Sequence, residues 1–506
     1  EAVEHRNYHG DHGSHGLSVS GRDNCCPNSR SMLRVKARGS SRFVLILGTL
    51  TYLLVALVLG SVIVRSTDEA VNPAVPALGL TALLVVTAVF FAPSLLRRFS
   101  LEVRSWVAYL VAGLSALLSL GPWLITALGH GSVATAIYQG LRIPQGPVQF
   151  WDLNLVLQSV DCAQAGVDVY AANNGCLADP SIYGPGTLWL GFVPGDIFSA
   201  SNSTWLGGIA LVISTVMVWW LARNSTGLGQ LTLLVSVLGA GWLLILERGN
   251  FDLFVMWIAV LAVVVVRRWP TLWSWGIAAT LIWLAGTWKY YPFVLGIMLV
   301  PLLFIRRGWI VLGGFVLATL AFVVLTWSNV QLSLDANSGM VDLGDFVVLG
   351  RVPLVARMLG GDGESGTYSW PDLLVLILAL VALVWGVVWM WSRGGAGLRG
   401  ISDRAVYLAM LAAGGGALYL ISVLIGGFGY AYKASFLLLL IPFLSRPAKS
   451  SSPRVFVPSV ISLVLVAVGV VVVWNTALAT VAGVIAAAFA LGAAAVVLKK
   501  PILSKI

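Results

Sequence analysis

The chain is 506 residues long, 58% apolar and only 10% charged, against about 25% charged residues in an ordinary soluble domain. That balance excludes a water-soluble globular protein, whose cores would need far more charge to cover them. The net charge of +10, from 31 Lys and Arg against 21 Asp and Glu, gathers at the ends of long apolar runs, which argues against a nucleic-acid partner. The 21 Trp and 54 Gly fit membrane spans and their interfacial belts. The expected class is an all-α polytopic integral membrane protein, with membrane lipids as its surroundings.

Residues 1–31 hold His5, His9, His12, His15, Cys25 and Cys26 without any apolar period. A His-rich tract is a compositional hint of metal binding and nothing more. The segment is expected to be a disordered extension or upstream sequence outside the native protein, with Met32 as a natural start, and is left out of the fold argument. A bilayer crossing takes roughly 20 apolar residues. Suitable runs lie near 43–65, 75–94, 105–129, 204–222, 229–246, 251–266, 271–288, 290–305, 308–327, 371–392, 405–425, 431–445, 455–474 and 477–498. Fourteen spans are therefore expected. Two N-terminal spans occupy 32–104, a core fills 105–446, and two further spans occupy 447–506.

Charge tests that threading. With a cytoplasmic N-terminus, 21 basic residues fall inside and seven outside, while only Glu102 and Asp403 among the acids fall inside. Retention of Lys and Arg on the cytoplasmic side is the expected bias. Both termini are expected in the cytoplasm, and both long loops, 130–203 and 328–370, outside a plasma (inner) membrane. The short inner connections hold no G-x-x-x-x-G-K-[ST] phosphate loop, which removes the usual ATP-driven transporter.

The first long loop carries Asp152, Asp161, Asp168 and Asp179, together with Cys162 and Cys176. Two cysteines in one oxidising compartment read as a disulfide, the alternative being two buried thiols. A zinc site is disfavoured, because no His stands nearby. Asp152 precedes a short amphipathic stretch, LNLVLQSV, where a carboxylate often serves only as a helix cap. Polar residues also mark other span ends: Tyr183-Gly184-Pro185-Gly186, Glu247-Arg248-Gly249-Asn250-Phe251-Asp252, Trp288-Lys289-Tyr290-Tyr291-Pro292 and Gly429-Tyr430-Ala431-Tyr432-Lys433. Ionisable groups at a membrane edge are costly and usually face a partner or a cavity. Snorkelling or a structural Glu247–Arg248 pair is the plainer explanation.

Taken in order along 105–446, these elements resemble the polyprenyl-phosphate-sugar-dependent membrane glycosyltransferases of the GT-C superfamily, most closely glycosyltransferase family 87. The resemblance rests on Asp152, the Gly166-x-Asp168-x-Tyr170 element, Tyr183 with Pro185, and Arg248-Gly249-Asn250-x-Asp252. It continues in Lys289 with Pro292 and in Tyr432-Lys433. Gly184 stands where a second proline or a Tyr-Pro pair is expected, and the first two and last two spans lie outside the match. The resemblance implies that Asp152 is the catalytic base and that Arg248, Lys289 and Lys433 bind the donor phosphate. Asp168, Tyr170, Tyr183, Glu247, Asn250, Asp252, Tyr290 and Tyr432 would contact sugar or acceptor, or position the base. It also implies transfer of mannose or arabinofuranose from a polyprenyl-phosphate donor to a cell-envelope glycolipid or polysaccharide, with inversion. No cofactor is assigned; a divalent metal stays open, since no compact ligand spacing appears. A lipid-linked glycan ligase and a transporter or flippase of lipid-linked sugars are the alternatives, the second disfavoured by the near absence of mid-span charge.

Overall fold

The computed structural model describes residues 105–332, apart from 141–142, 144, 147, 172–173 and 178–179, together with 370–391, 402–424, 431–446, 453–471 and 476–498. The expected tail at 1–31, the spans at 43–65 and 75–94, and most of the 328–370 loop lie outside the described residues.

Among the described residues all regular structure is helical. Helices α1 (Ser105–Ala127), α2 (Gly131–Gly140) and α3 (Trp151–Gln164) come first, followed by a 3₁₀ stretch at Pro185–Phe192. Next are α4 (Ser203–Asn224), α5 (Gly227–Val237), α6 (Ala240–Arg248), α7 (Phe251–Arg268) and α8 (Leu272–Lys289). A 3₁₀ stretch at Tyr291–Phe304 leads to α9 (Gly308–Leu325), then α10 (Trp370–Trp391) and α11 (Asp403–Leu424). A last 3₁₀ stretch, Ala431–Leu440, runs into α12 (Ile441–Leu444), followed by α13 (Pro453–Val471) and α14 (Thr476–Leu498).

Within α1, α4, α9, α11 and α14 there are segments long and apolar enough to cross a membrane, and the pair α5–α6 makes a sixth if taken as one span. The described chain is thus a helical membrane protein. The single span expected at 229–246 is two helices bent by 58°. Gly239 lies at the break, where an added Cβ would come 2.9 Å from the Val470 carbonyl oxygen; α13 crosses too closely for a side chain. The short runs expected at 290–305 and 431–445 gain reach from tighter winding. At about 2.0 Å per residue, the 14 residues of Tyr291–Phe304 extend about 28 Å.

Helices α10 and α14 meet through reciprocal glycines. A Cβ on Gly386 would lie 2.2 Å from the Phe489 oxygen, and one on Gly492 would lie 2.1 Å from the Leu383 oxygen. Small residues permit such close backbone approach where apolar lipid supplies no drive to associate. Because α14 also packs on α11 and α13, the C-terminal pair belongs to the same bundle as the core. Helix α9 is the opposite case, with Leu317, Val324 and Leu325 exposed along an apolar surface that suits lipid.

A candidate active site at four helix ends

The site is built on the turn between α6 and α7. Gly249 adopts φ +58°, the left-handed conformation that lets the chain reverse after Arg248. Asn250 then caps α7, its Oδ1 accepting the Asp252 N–H at 2.9 Å. Arg248 and Lys289 stand in the last turns of α6 and α8, while Asp152 and Asp252 stand in the first turns of α3 and α7. Each charge therefore complements its helix dipole. That match is worth about 0.3–1 kcal/mol per charge, well below the several kcal/mol that burying an ion costs. Pairing has to supply the rest.

Asp152 is the second residue of α3, and the N-cap is Phe150, at φ 57°. The carboxylate therefore does not cap its own helix and turns instead to the α6–α7 turn. Its Oδ2 accepts a hydrogen bond from Asn250 Nδ2, and its Oδ1 lies 3.8 Å from Arg248 Nη1. Arg248 Nε lies 3.5 Å from Glu247 Oε2. Buried Glu247 holds the approach to α3: its Oε1 accepts the Gly146 N–H at 3.3 Å, and its carbonyl accepts the Phe150 N–H at 3.1 Å.

Asn250 also joins this half of the site to a second one. Its Oδ1 accepts from Lys289 Nζ at 2.8 Å, and Lys289 reaches Asp252 Oδ1 at 2.6 Å. The Tyr291 hydroxyl donates to the same Asp252 oxygen. Lys289 Nζ stands 5.1 Å from the centre of the Tyr183 ring, and Lys433 Nζ 5.6 Å from that of Tyr291. Asp252 is fully enclosed, whereas the side chains of Asp152 and Arg248 keep 16% and 14% exposure. Burial pushes the Asp152 carboxyl above its ordinary pKa, and Asp252 adds to the rise. Arg248, the Asn250 hydrogen bond and Lys289 oppose it without cancelling it.

The Tyr183-Gly184-Pro185-Gly186 element packs on the end of α8. Gly184 donates its N–H to the Trp288 carbonyl at 2.7 Å, and an added Cβ there would lie 2.2 Å from the Thr287 oxygen. A proline at 184 would lack that donor, a physical reason for glycine here.

Asp168, Tyr170 and Tyr290 make contacts outside this network. Asp168 Oδ1 accepts the backbone N–H of Tyr170 at 3.0 Å, and the Tyr170 hydroxyl donates to the Tyr183 carbonyl at 2.9 Å. Both brace the loop behind Tyr183. The Tyr290 ring faces Phe322, 6.2 Å away. Tyr432 is buried beside Lys433. Cys162 and Cys176 are joined as a disulfide with Cα atoms 6.0 Å apart, tying the end of α3 to the loop that carries Tyr170.

Tyr291 is the residue that sequence reasoning missed. The Tyr-Tyr pair was visible, but the choice between them is set by Tyr290, whose φ of 61° reverses the chain and delivers the next side chain to Asp252. Among the described residues no group of three or more His, Cys, Asp or Glu is arranged to hold a metal ion.

The arrangement can do two things together: accept a proton at a partly exposed carboxylate of raised pKa, and hold an anion at the guanidinium beside it. Fold and site define a membrane protein whose described residues are helical, with a buried ionic network at its helix ends. Compared with family models, curated proteins and solved structures, the chain matches none.

Proposed function

We propose that the chain is a membrane glycosyltransferase moving one sugar, mannose or arabinofuranose, from a polyprenyl-phosphate donor to a glycolipid or polysaccharide acceptor of the cell envelope. The supporting observation is the Asp152–Arg248 pair: a base and a phosphate-binding cation, both partly exposed, stand 3.8 Å apart beside the enclosed Asp252. In the proposed reaction an acceptor hydroxyl attacks the anomeric carbon as the bond to the phosphate oxygen breaks, and Asp152 takes the hydroxyl proton. Polyprenyl phosphate leaves against Arg248, the better bidentate clamp, with Lys289 and Lys433 adding positive potential. Displacement at the anomeric carbon inverts its configuration. Asn250 and Asp252 position Asp152 and Lys289, being themselves enclosed. The proposal includes fourteen spans, both termini in the cytoplasm and the site on the extracytoplasmic face of the plasma membrane.

A transporter of lipid-linked sugars is the second reading, favoured by the 58° break between α5 and α6, since transporters build their sites on broken helices. Incubating purified protein separately with polyprenyl-phosphate mannose and polyprenyl-phosphate arabinofuranose, with membrane glycolipid acceptors, decides between the two. Glycosylated acceptor from one donor supports transfer. Movement of the donor across proteoliposomes without product supports the transporter.

A further inference from the structure

At the far end of α7 from Asp252 lies a second cluster of charge with the opposite balance. Three arginines from distant places in the chain, Arg267, Arg404 and Arg446, converge on Asn224, and a fourth, Arg223, is its neighbour in sequence and lies over the Trp219 ring at 5.1 Å. Arg267 Nη1 and Arg404 Nη2 both donate to Asn224 Oδ1, at 3.2 and 2.9 Å, and Arg446 Nη2 reaches the Asn224 carbonyl at 3.5 Å. The amide is held for this: its Nδ2 donates to the Trp220 carbonyl at 2.8 Å, which leaves Oδ1 facing the guanidiniums. The turn is held too, because the Thr226 N–H donates to Ser445 Oγ at 3.1 Å and Thr226 Oγ1 donates to the Ser445 carbonyl at 2.9 Å.

No carboxylate pairs with any of the four among the described residues. Asp403, the neighbouring acid, is exposed and makes no such pair, and the flanking stretches 392–402 and 447–454 contain no acid while adding Arg393, Arg399, Lys449 and Arg454. Two donors, Arg404 Nε and Arg446 Nε, are buried with no hydrogen-bond partner, a loss that is larger for a charged group than for a neutral one. Burial and then its neighbours Arg404 and Arg267 bring the Arg446 pKa down to about 10, the direction expected of like charges crowded together.

A neutral amide shared by two guanidiniums cannot offset this repulsion. A tetrahedral oxyanion with several acceptor oxygens can, and guanidiniums grip phosphate in bidentate fashion. We propose that Arg223, Arg267, Arg404 and Arg446 around Asn224 form a phosphate-binding site, taking a phosphate group carried by a lipid headgroup or dissolved in the aqueous phase. Arg223 and Arg267 are its exposed rim and Arg404 and Arg446 its half-buried floor.

The test places the full chain in phosphatidylcholine nanodiscs. One arm adds graded phosphatidic acid to the bilayer, the other adds inorganic phosphate to the buffer, and the thermal midpoint is followed in each. The wild type is expected to show a saturable rise with at least one probe. A response to phosphatidic acid alone assigns the lipid source, and one to inorganic phosphate assigns the dissolved source. Asn224→Asp puts a carboxylate where the anion's charge would act, so the starting midpoint should rise and the affinity for the probe should fall about tenfold or more. The double variant Arg404→Gln/Arg446→Gln should lose the response without that higher starting point. No saturable response to either probe in the wild type overturns the proposal, as does an undiminished response in either set of variants.

Discussion

The two ends of α7 solve the problem of buried charge differently. At the first end three acids (Asp152, Glu247, Asp252) meet three cations (Arg248, Lys289, Lys433), and ion pairs and hydrogen bonds through Asn250 connect most of them. At the other, about 22 Å away by the helical rise between Asp252 and Arg267, three arginines share one asparagine, with Arg223 next to it in the chain. The first is compensated from within, with Asp152, Arg248 and Lys289 partly open. The second needs compensation from outside. Total charge therefore says little about these sites; what matters is whether each buried ion has its counter-ion inside the protein.

Several experiments can break that contrast. Lys289→Met leaves Asp252 enclosed without its cation, and should destabilise the protein by about 3–5 kcal/mol in chemical unfolding. Lys289→Met/Asp252→Leu removes both charges and should recover most of the loss. If the double variant is as unstable as the single one, the pair is not what holds this end together. Separately, Cys162→Ser/Cys176→Ser opens a closed loop and should cost about 3 kcal/mol, read as a lower midpoint with the helix content unchanged.

The smallest effect is on pH dependence. Asp152 must be ionised to accept a proton, so turnover should rise with pH through an apparent pKa above the ordinary value of about 3.9, because burial favours the protonated form. Arg248→Gln removes an opposing influence and should move that limb further up, measured as turnover at saturating donor. A limb that moves down would reverse the electrostatic assignment.

Much of the helical framework was legible because a bilayer imposes a length. The apolar runs at 105–129, 204–222, 308–327, 405–425 and 477–498 correspond to α1, α4, α9, α11 and α14 within a few residues. The break at Gly239 was not legible, since it depends on Val470 crossing there, more than two hundred residues later. Asp152 could be picked out as the acid opening an amphipathic helix, yet its partner Asn250 lies 98 positions away, and apolar period carries no information at that range. Tyr290 and Tyr291 show the limit most clearly. One reversed backbone angle decides which ring meets Asp252, and residue type alone does not fix that angle. The arginine cluster was visible only as basic residues scattered over several connections; its convergence on Asn224 belongs to the packing.

Sugar transfer by the wild type and by Asp152→Asn, side by side with the productive donor and with donor affinity measured in both, tests the central claim most directly. The substitution keeps the side-chain volume and the contact with Asn250 while removing the proton acceptor. Turnover should fall about 10²–10⁴-fold with donor affinity little changed. Near-normal turnover in Asp152→Asn, with transfer abolished instead in Asp168→Asn, would contradict the assignment of Asp152 as the base.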